Sequence, residues 1–138
     1  MKILLNIFIF CFIVNACGDS IEDIEVFYAN GKLKSKGRMN EGLEHGSWIR
    51  YYKDGVQESS GEFYLGTQIG DWTWWHKNGE LKEESHFDYG EVNGTSKRYF
   101  ENGKIRVEEK WRNDLRIGFA KAYHENGTLN YSGKYSQG

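Results

Sequence analysis

The chain has 138 residues, a length that allows one domain. It carries 18 Lys and Arg residues against 20 Asp and Glu residues, and this near-neutral balance argues against nucleic acid or anionic lipid as an electrostatic partner. Proline is absent and aromatic residues make up 16% of the chain, a composition typical of continuous β-structure.

The first sixteen residues are predicted to be a lipoprotein signal peptide. Residues 3–14 are almost wholly apolar but too few to span about 30 Å of hydrocarbon, so they indicate a signal-peptide core rather than a membrane helix. The segment ends Val14-Asn15-Ala16-Cys17, which resembles the bacterial lipobox. This resemblance implies cleavage before Cys17, acylation of its thiol, and an extracytoplasmic location in the periplasm, outer membrane or cell surface. The alternative is an ordinary secretory signal with a coincidental cysteine.

Two further predictions concern the start of the mature chain. Residues 17–25 are acidic and are predicted to be a tether before the first strand. Cys11 would leave with the signal peptide and Cys17 would be acylated, so the folded part would have no thiol for a disulfide or a metal site.

From Phe27 onward the chain repeats every 24 residues, in units that begin at residues 27, 51, 75, 99 and 123. One aromatic column and two glycine columns keep this register. The aromatic column is Phe27, Tyr51, Trp75, Tyr99 and Tyr123. A fixed period without insertions is typical of a small structural unit stacked on copies of itself. Such a stack favours an extended surface over a catalytic pocket.

Each unit contains Asn-Gly or Asp-Gly between two runs of β-forming residues, at positions 30–31, 54–55, 78–79, 102–103 and 126–127. This dipeptide predicts a β-hairpin with a type I′ turn, in which both residues have positive φ. A second loop of four residues, bounded by glycines such as Gly42 and Gly46, is predicted to close each unit. The predicted fold is all-β: tandem hairpins over residues 27–138 in an elongated antiparallel meander, with no helix beyond the signal peptide.

The pairing within each hairpin has two alternatives. With two-residue loops, Tyr28 faces Leu33, Trp48 lies opposite Gly61, and the aromatic column lies on the more polar face opposite residues such as Lys34. The same register pairs Trp72 with Ser85 and Ala120 with Gly133. A three-residue loop with a bulge would slip the pairing by one and move the column onto the face of Leu33. The first register is favoured because positions 48, 50 and 52 are more apolar than 49 and 51.

The order Gly-x-Trp-x-x-Tyr-Tyr, Asn-Gly, Gly-x-Phe-x-x-Gly resembles the MORN repeat variant common in bacteria, some members of which are labelled antitoxin-like. Residues 46–66 match best, and the resemblance covers residues 27–138. The departures are Ser96 and Ala120 in place of tryptophan, and Glu109 in place of the strand glycine. The resemblance implies stacked hairpins and a role in protein interaction or membrane-linked scaffolding, without enzymatic activity. An exported lipoprotein would be in the wrong compartment to neutralise a cytoplasmic toxin.

Neither a metal site nor a cofactor is predicted. His76 and His124 occupy equivalent positions two units apart, which places them roughly 19 Å from each other, too far to share a metal ion. The chain also lacks the spacing of known nucleophilic or phosphate-binding motifs, so it is not expected to be an enzyme.

The aromatic residues are the candidate functional residues. Most tryptophans are expected to pack between units and form the core. The remaining rings are predicted to bind a partner: Tyr51, Trp74, Trp75, Tyr99 and Tyr123. The leading hypothesis is a lipid-anchored, non-enzymatic scaffold that presents one face to another envelope protein. The alternative is a carbohydrate- or cell-wall-binding module, because aromatic hairpin repeats also bind sugars and quaternary amines.

Overall fold

The computed structural model describes residues 20–136, which form one antiparallel sheet of ten strands in chain order. The strands are β1 (Ile21–Phe27), β2 (Leu33–Asn40), β3 (Leu43–Tyr51), β4 (Gln57–Tyr64), β5 (Thr67–Trp75), β6 (Leu81–Asp88), β7 (Glu91–Tyr99), β8 (Ile105–Arg112), β9 (Leu115–Tyr123) and β10 (Leu129–Tyr135). The predicted all-β meander of tandem hairpins is therefore confirmed. Within residues 20–136 there is no apolar helix of bilayer-spanning length.

The first strand begins earlier than the sequence predicts. Residues 21–25, assigned above to the acidic tether, pair with residues 36–40 of β2. Ile24 packs against the core cluster, and Asp23 forms an ion pair with Arg38 at 3.3 Å. Apolar Ile24 and Val26 alternate with carboxylates, which is a strand pattern that the acidic composition obscured.

The Asn-Gly hairpins have three-residue loops instead of the predicted type I′ turns. In the first hairpin, Gly31 N–H donates to the Tyr28 carbonyl at 2.9 Å, and Tyr28 N–H donates to the Lys32 carbonyl at 2.8 Å. Gly31 has a φ of 79°, but Asn30 is not left-handed. The Asn30 side chain instead accepts a hydrogen bond from Lys32 N–H at 3.2 Å, so asparagine serves here as an acceptor. The same backbone bonds recur in the other four hairpins.

A bulge beside each of these turns combines the two alternative registers. Next to the first turn Phe27 pairs with Leu33, but one step further Val26 pairs with Ser35, and Lys34 is the extra residue of the bulge. The slipped register therefore holds at the turn, and the favoured register holds in the rest of the hairpin. Three predicted pairs are confirmed: Trp48 with Gly61, Trp72 with Ser85, and Ala120 with Gly133. The predicted pairing of Tyr28 with Leu33, and of the aromatic column with residues such as Lys34, is wrong.

The type I′ turns are found in the loops that connect one Asn-Gly hairpin to the next. At Glu41-Gly42 both residues have positive φ, 50° and 79°, and Asn40 pairs with Leu43. Equivalent turns lie at residues 65–66, 89–90 and 113–114. The predicted four-residue loop is wrong because Gly46 lies inside β3. Its φ of 68° allows a bulge there, which glycine tolerates without steric cost.

The core lies on one face of the sheet. Trp48, Phe63 and Trp72 are buried, and Trp72 is only 1% exposed. The Phe63 ring lies edge-on to both tryptophans, with centroid distances of 6.3 Å to Trp48 and 4.9 Å to Trp72. Trp48 and Phe63 belong to one Asn-Gly hairpin and Trp72 to the next, so this core exists only because neighbouring hairpins stack.

A glycine–tryptophan contact joins each of the first two Asn-Gly hairpins to the next one. The Trp72 ring lies over Gly61, where a Cβ atom would overlap it, and the Trp72 indole N–H donates to the Glu62 carbonyl at 3.2 Å. Trp48 lies over Gly37 in the same way. Each tryptophan ring therefore lies over a glycine of the preceding strand. The residue that pairs with each tryptophan in the ladder, Gly61 for Trp48 and Ser85 for Trp72, lies in the following strand.

Toward the C-terminus the positions equivalent to Gly61 and Trp72 hold different residues. Ser85 and Ser96 are buried and their hydroxyls lie 2.8 Å apart. At the next junction Glu109 and Ala120 are buried. Two arginines pair with the Glu109 carboxylate, Arg98 at 2.8 Å and Arg116 at 3.3 Å. The contact between successive Asn-Gly hairpins thus changes from aromatic to polar to ionic along the chain.

Candidate functional site: an aromatic stripe

The aromatic column and its cross-strand partners form a row across the whole sheet. The five pairs are Phe27–Leu33, Tyr51–Gln57, Trp75–Leu81, Tyr99–Ile105 and Tyr123–Leu129. We call these ten residues the aromatic stripe. Because each unit contributes two strands about 4.8 Å apart, the rings recur about every 10 Å. Four of the five predicted binding residues belong to this stripe: Tyr51, Trp75, Tyr99 and Tyr123.

The aromatic stripe lies on the face opposite the core. Trp74 and Trp75 are neighbours in β5 and point to opposite faces. Trp74 stacks on the buried Trp72 with a centroid distance of 5.6 Å, which places Trp75 on the other face. Tyr99 provides a second indication, because its hydroxyl donates to the exposed carboxylate of Glu84 at 2.6 Å.

The fifth predicted binding residue, Trp74, belongs to the core side of the sheet. Besides Trp72 it contacts Phe87, with a centroid distance of 6.2 Å, and it packs against the core cluster. The sequence offers two adjacent tryptophans at 74 and 75, and strand alternation allows only one of them on each face. The register therefore decides that Trp75 is on the stripe.

The aromatic stripe is half-buried in its middle and open at both ends. Tyr51, Trp75, Tyr99 and Tyr123 are partly accessible, and the terminal Phe27 and Leu129 are exposed. A row of accessible aromatic and aliphatic side chains, interrupted here by Gln57, is typical of a contact surface.

Side chains one position beyond the aromatic column hold the backbone of the stripe. Three of them reach a carbonyl of the next unit: Tyr28 to Tyr51 and Tyr52 to Trp75, each at 2.7 Å, and His76 to Tyr99 at 3.0 Å. Burial raises the pKa of Tyr52 above its ordinary value, and the charges of Glu58 and Asp54 add to this effect. Its hydroxyl therefore stays protonated and available as a donor.

A row of charged residues with alternating sign runs beside the C-terminal half of the stripe. Consecutive cross-strand partners in this row are Glu84, Lys97, Glu108 and Lys121. Tyr99 is coupled to this row: burial, then its hydrogen bond to Glu84 and the charges of Glu84 and Glu108, raise the pKa of Tyr99 to about 12. The stripe therefore presents neutral rings next to charges of both signs.

The described residues show no constellation suited to a metal ion. Among residues 20–136, no three His, Cys, Asp or Glu side chains come together. His86, one of the four histidines, pairs with Asp71 at 2.7 Å. The predicted signal peptide at 1–16, the lipidation residue Cys17 and the start of the tether lie outside the described residues.

Sequence reasoning missed a second exposed set of apolar residues, located at the edge of the sheet that carries the type I′ turns. We call this edge the type I′ edge. Its exposed apolar residues are Leu43, Tyr64, Leu65, Tyr89 and Leu115. The signal was Leu-Gly at 65–66 and Tyr-Gly at 89–90, where the equivalent positions of the other turns hold Glu41-Gly42 and Asn113-Asp114.

Three segments of the chain, residues 24–40, 68–89 and 92–113, match the family described as MORN repeat variant. Each segment contains an Asn-Gly turn and strand residues from both of its sides, so the detected repeat coincides with one hairpin. MORN repeats are non-catalytic modules that generally mediate protein or membrane interactions. No curated protein matches the chain.

Proposed function

We propose that the chain is a lipid-anchored, non-enzymatic repeat scaffold that docks an envelope protein on the aromatic stripe. The observation that carries this proposal is the stripe itself, with one residue from each of ten strands on the face opposite the core. The detected MORN repeats support an interaction role in general terms.

The proposed anchor is Cys17, exposed by removal of residues 1–16. Acylation contributes about 0.8 kcal/mol per buried methylene, and two or three chains on one residue make the attachment stable. This anchor would place the sheet outside the cytoplasm, in the periplasm, at the outer membrane or on the cell surface.

The stripe sets the chemistry of the protein partner. Ten strands at about 4.8 Å give a contact line roughly 40 Å long, with apolar rings along it and alternating charges beside its C-terminal half. We therefore infer a partner with an apolar ridge of similar length, flanked by charged residues of both signs.

The test is affinity recovery of the full-length chain after crosslinking on intact cells. Trp75→Ser and Tyr51→Ser, each retaining its thermal transition, should lower the recovered partner by about tenfold or more, as expected for central interface aromatics. Phe119→Ser is the matched control, since Phe119 is exposed on the same face but lies outside the stripe. Equal recovery with Trp75→Ser and with Phe119→Ser would refute docking on the stripe.

A second candidate function is recognition of a cell-wall glycan, and the middle of the stripe favours it. Gln57 pairs with Tyr51, and the neutral Ser60 and Thr73 pair with each other in the adjacent row. Aromatic rings beside neutral hydrogen-bonding groups suit sugar recognition. Pull-down on peptidoglycan or polysaccharide with Trp75→Ala separates the two functions. If the variant is retained on the glycan as well as the parent protein is, glycan binding by the stripe is excluded. Trp74→Ala is unsuitable, since that ring packs in the core.

A further inference from the structure

The chain enters the sheet at the type I′ edge. Ile21, the first residue of β1, pairs with Asn40, which directly precedes the type I′ turn at Glu41-Gly42. Cys17 is three residues before Ser20, so even fully extended chain keeps Cys17 within about 11 Å of this edge. A lipid on Cys17 would therefore hold the β1 end of this edge next to the bilayer.

The same edge is unusually rich in exposed apolar side chains. Besides Ile21, five of the ten exposed large hydrophobic residues within residues 20–136 lie there, and Tyr89, at 72%, is the most exposed of the ten. Successive turns of this edge are about 10 Å apart, so the apolar tips follow a line along the sheet.

Two of these tips occupy positions that disfavour them. Leu65 and Tyr89 are the first residues of type I′ turns and have φ of 46° and 45°, a region in which bulky side chains are rare. Asn113 has the favoured residue type at the equivalent position. In the Tyr89 turn, Asp88 also lies directly opposite Glu91, a like-charged pair. The turn positions disfavour both residues, and Tyr89 lies edge-on to the exposed Tyr64 with a centroid distance of 6.4 Å, so the two rings form an exposed apolar cluster, which points to a role in contact.

We propose that the type I′ edge lies on the bilayer surface, with Leu65 and Tyr89 in the interfacial region, so that the sheet stands edge-on at the membrane. This inference rests on the proposed anchor at Cys17. Tyrosine rings, apolar with one polar end, suit the headgroup level of a bilayer.

The charges of this edge define the lipid that it contacts. Carboxylates of Glu41, Asp88, Glu91 and Asp114 lie at or next to the turns, against the single cation of Arg112. Attraction to anionic lipid is therefore excluded, and the contact is with zwitterionic headgroups through apolar side chains. Edge-on placement also raises the Asn-Gly end of the sheet, where the aromatic stripe runs, by the length of a strand, about 25 Å.

The experiment uses the full chain, purified from a bacterial membrane fraction. Its intact mass first reports whether Cys17 is acylated, which tests the anchor alone. The protein is then placed on phosphatidylcholine–phosphatidylethanolamine vesicles that contain a photoactivatable phosphatidylcholine, and lipid adducts are mapped by mass spectrometry. If Cys17 carries no lipid, the Cys11→Ser chain coupled at Cys17 to a maleimide phospholipid is used instead, so failure of the anchor leaves the test of the edge intact.

We expect adducts on the turns at 65–66 and 89–90, and few on the Asn-Gly turns. Leu65→Asn with Tyr89→Asn should reduce the adducts on this edge by about tenfold, as expected when two partly inserted apolar side chains are lost. The double variant should melt at the same or a higher temperature, because asparagine suits both turn positions. Phe119→Asn is the matched control: Phe119 is 62% exposed but lies in the middle of β9, away from the turns and outside the stripe, so the map should not change.

Three results would overturn the proposal. One is a similar adduct density on both edges of the sheet, and another is an adduct map that the double variant leaves unchanged. The third is labelling that appears only after phosphatidylglycerol is added, which would show electrostatic rather than apolar contact.

Discussion

The glycine–tryptophan contact between successive hairpins predicts that Gly61→Ala destabilises the fold. Gly61 lies in β4 and has no left-handed φ, so alanine fits its backbone conformation. Because alanine reduces the conformational entropy of the unfolded chain, this effect by itself would stabilise the fold by about 0.4–1 kcal/mol. However, the new Cβ atom would overlap the ring of Trp72, which is 1% exposed and has no room to move. Overpacking of this kind costs about 1–3 kcal/mol, so we expect net destabilisation by roughly 1–2 kcal/mol.

Urea unfolding followed by tryptophan fluorescence measures this effect, and each kcal/mol should also lower the melting temperature by about 4 °C. The control is the same substitution in a Trp72→Leu background, which keeps an apolar side chain but removes the ring above Gly61. There, Gly61→Ala should be neutral or stabilising, which gives a coupling energy of about 1–3 kcal/mol between the two positions. The reasoning is refuted if Gly61→Ala costs the same free energy in both backgrounds.

Two further predictions concern the C-terminal half. Glu109→Gln should lower the free energy of unfolding by about 1–3 kcal/mol, since the Glu109 side chain is only 6% exposed and its carboxylate accepts a hydrogen bond from Arg98 and forms an ion pair with Arg116. Urea unfolding measures this, and unchanged stability would exclude a role in holding the hairpins together. For Tyr99, the pKa of about 12 in the folded state exceeds the value of 10.0 in the unfolded chain, so the proton is held more tightly in the fold. Its stabilisation is complete below pH 10 and is lost as the pH rises toward 12. Tyr99→Phe should therefore lose less stability than the parent over that interval, and equal losses by urea unfolding would contradict this account.

The repeat period was sufficient to predict the architecture, because five Asn-Gly or Asp-Gly sites in one register leave little choice but tandem hairpins. The turn type was not predictable from that dipeptide. Asn30 and Gly31 suit a type I′ turn, but they also suit a three-residue loop in which only the glycine is left-handed and the asparagine accepts a hydrogen bond. Each loop implies a different strand register. The bulge at Lys34 separates the two registers, with Phe27 paired with Leu33 on the turn side and Val26 paired with Ser35 on the other side.

The placement of the rings was only partly predictable for the same reason. Strand alternation separates Trp74 from Trp75, but only the observed pairing shows that Trp75 is on the stripe. The contact of Trp72 with Gly61 instead of Ser85 depends on a bulge at Gly70, which the sequence presents as another loop glycine. The type I′ edge was missed because Leu65 and Tyr89 are poor residues for the turns they form.

The junctions between successive Asn-Gly hairpins also indicate how stability varies along the sheet. In a repeat protein, stability is approximately a sum of terms between neighbours, so unequal junctions give unequal segments. The first two junctions bury a tryptophan ring over a glycine, whereas the last contains Glu109 with arginines that are partly exposed and therefore sensitive to salt. Loss of structure is thus expected to begin at β9 and β10. The hairpins nearest to the proposed anchor, with Tyr51 and Trp75 on the stripe, would then keep their shape longest, so the N-terminal half of the stripe is expected to be the more rigid docking surface.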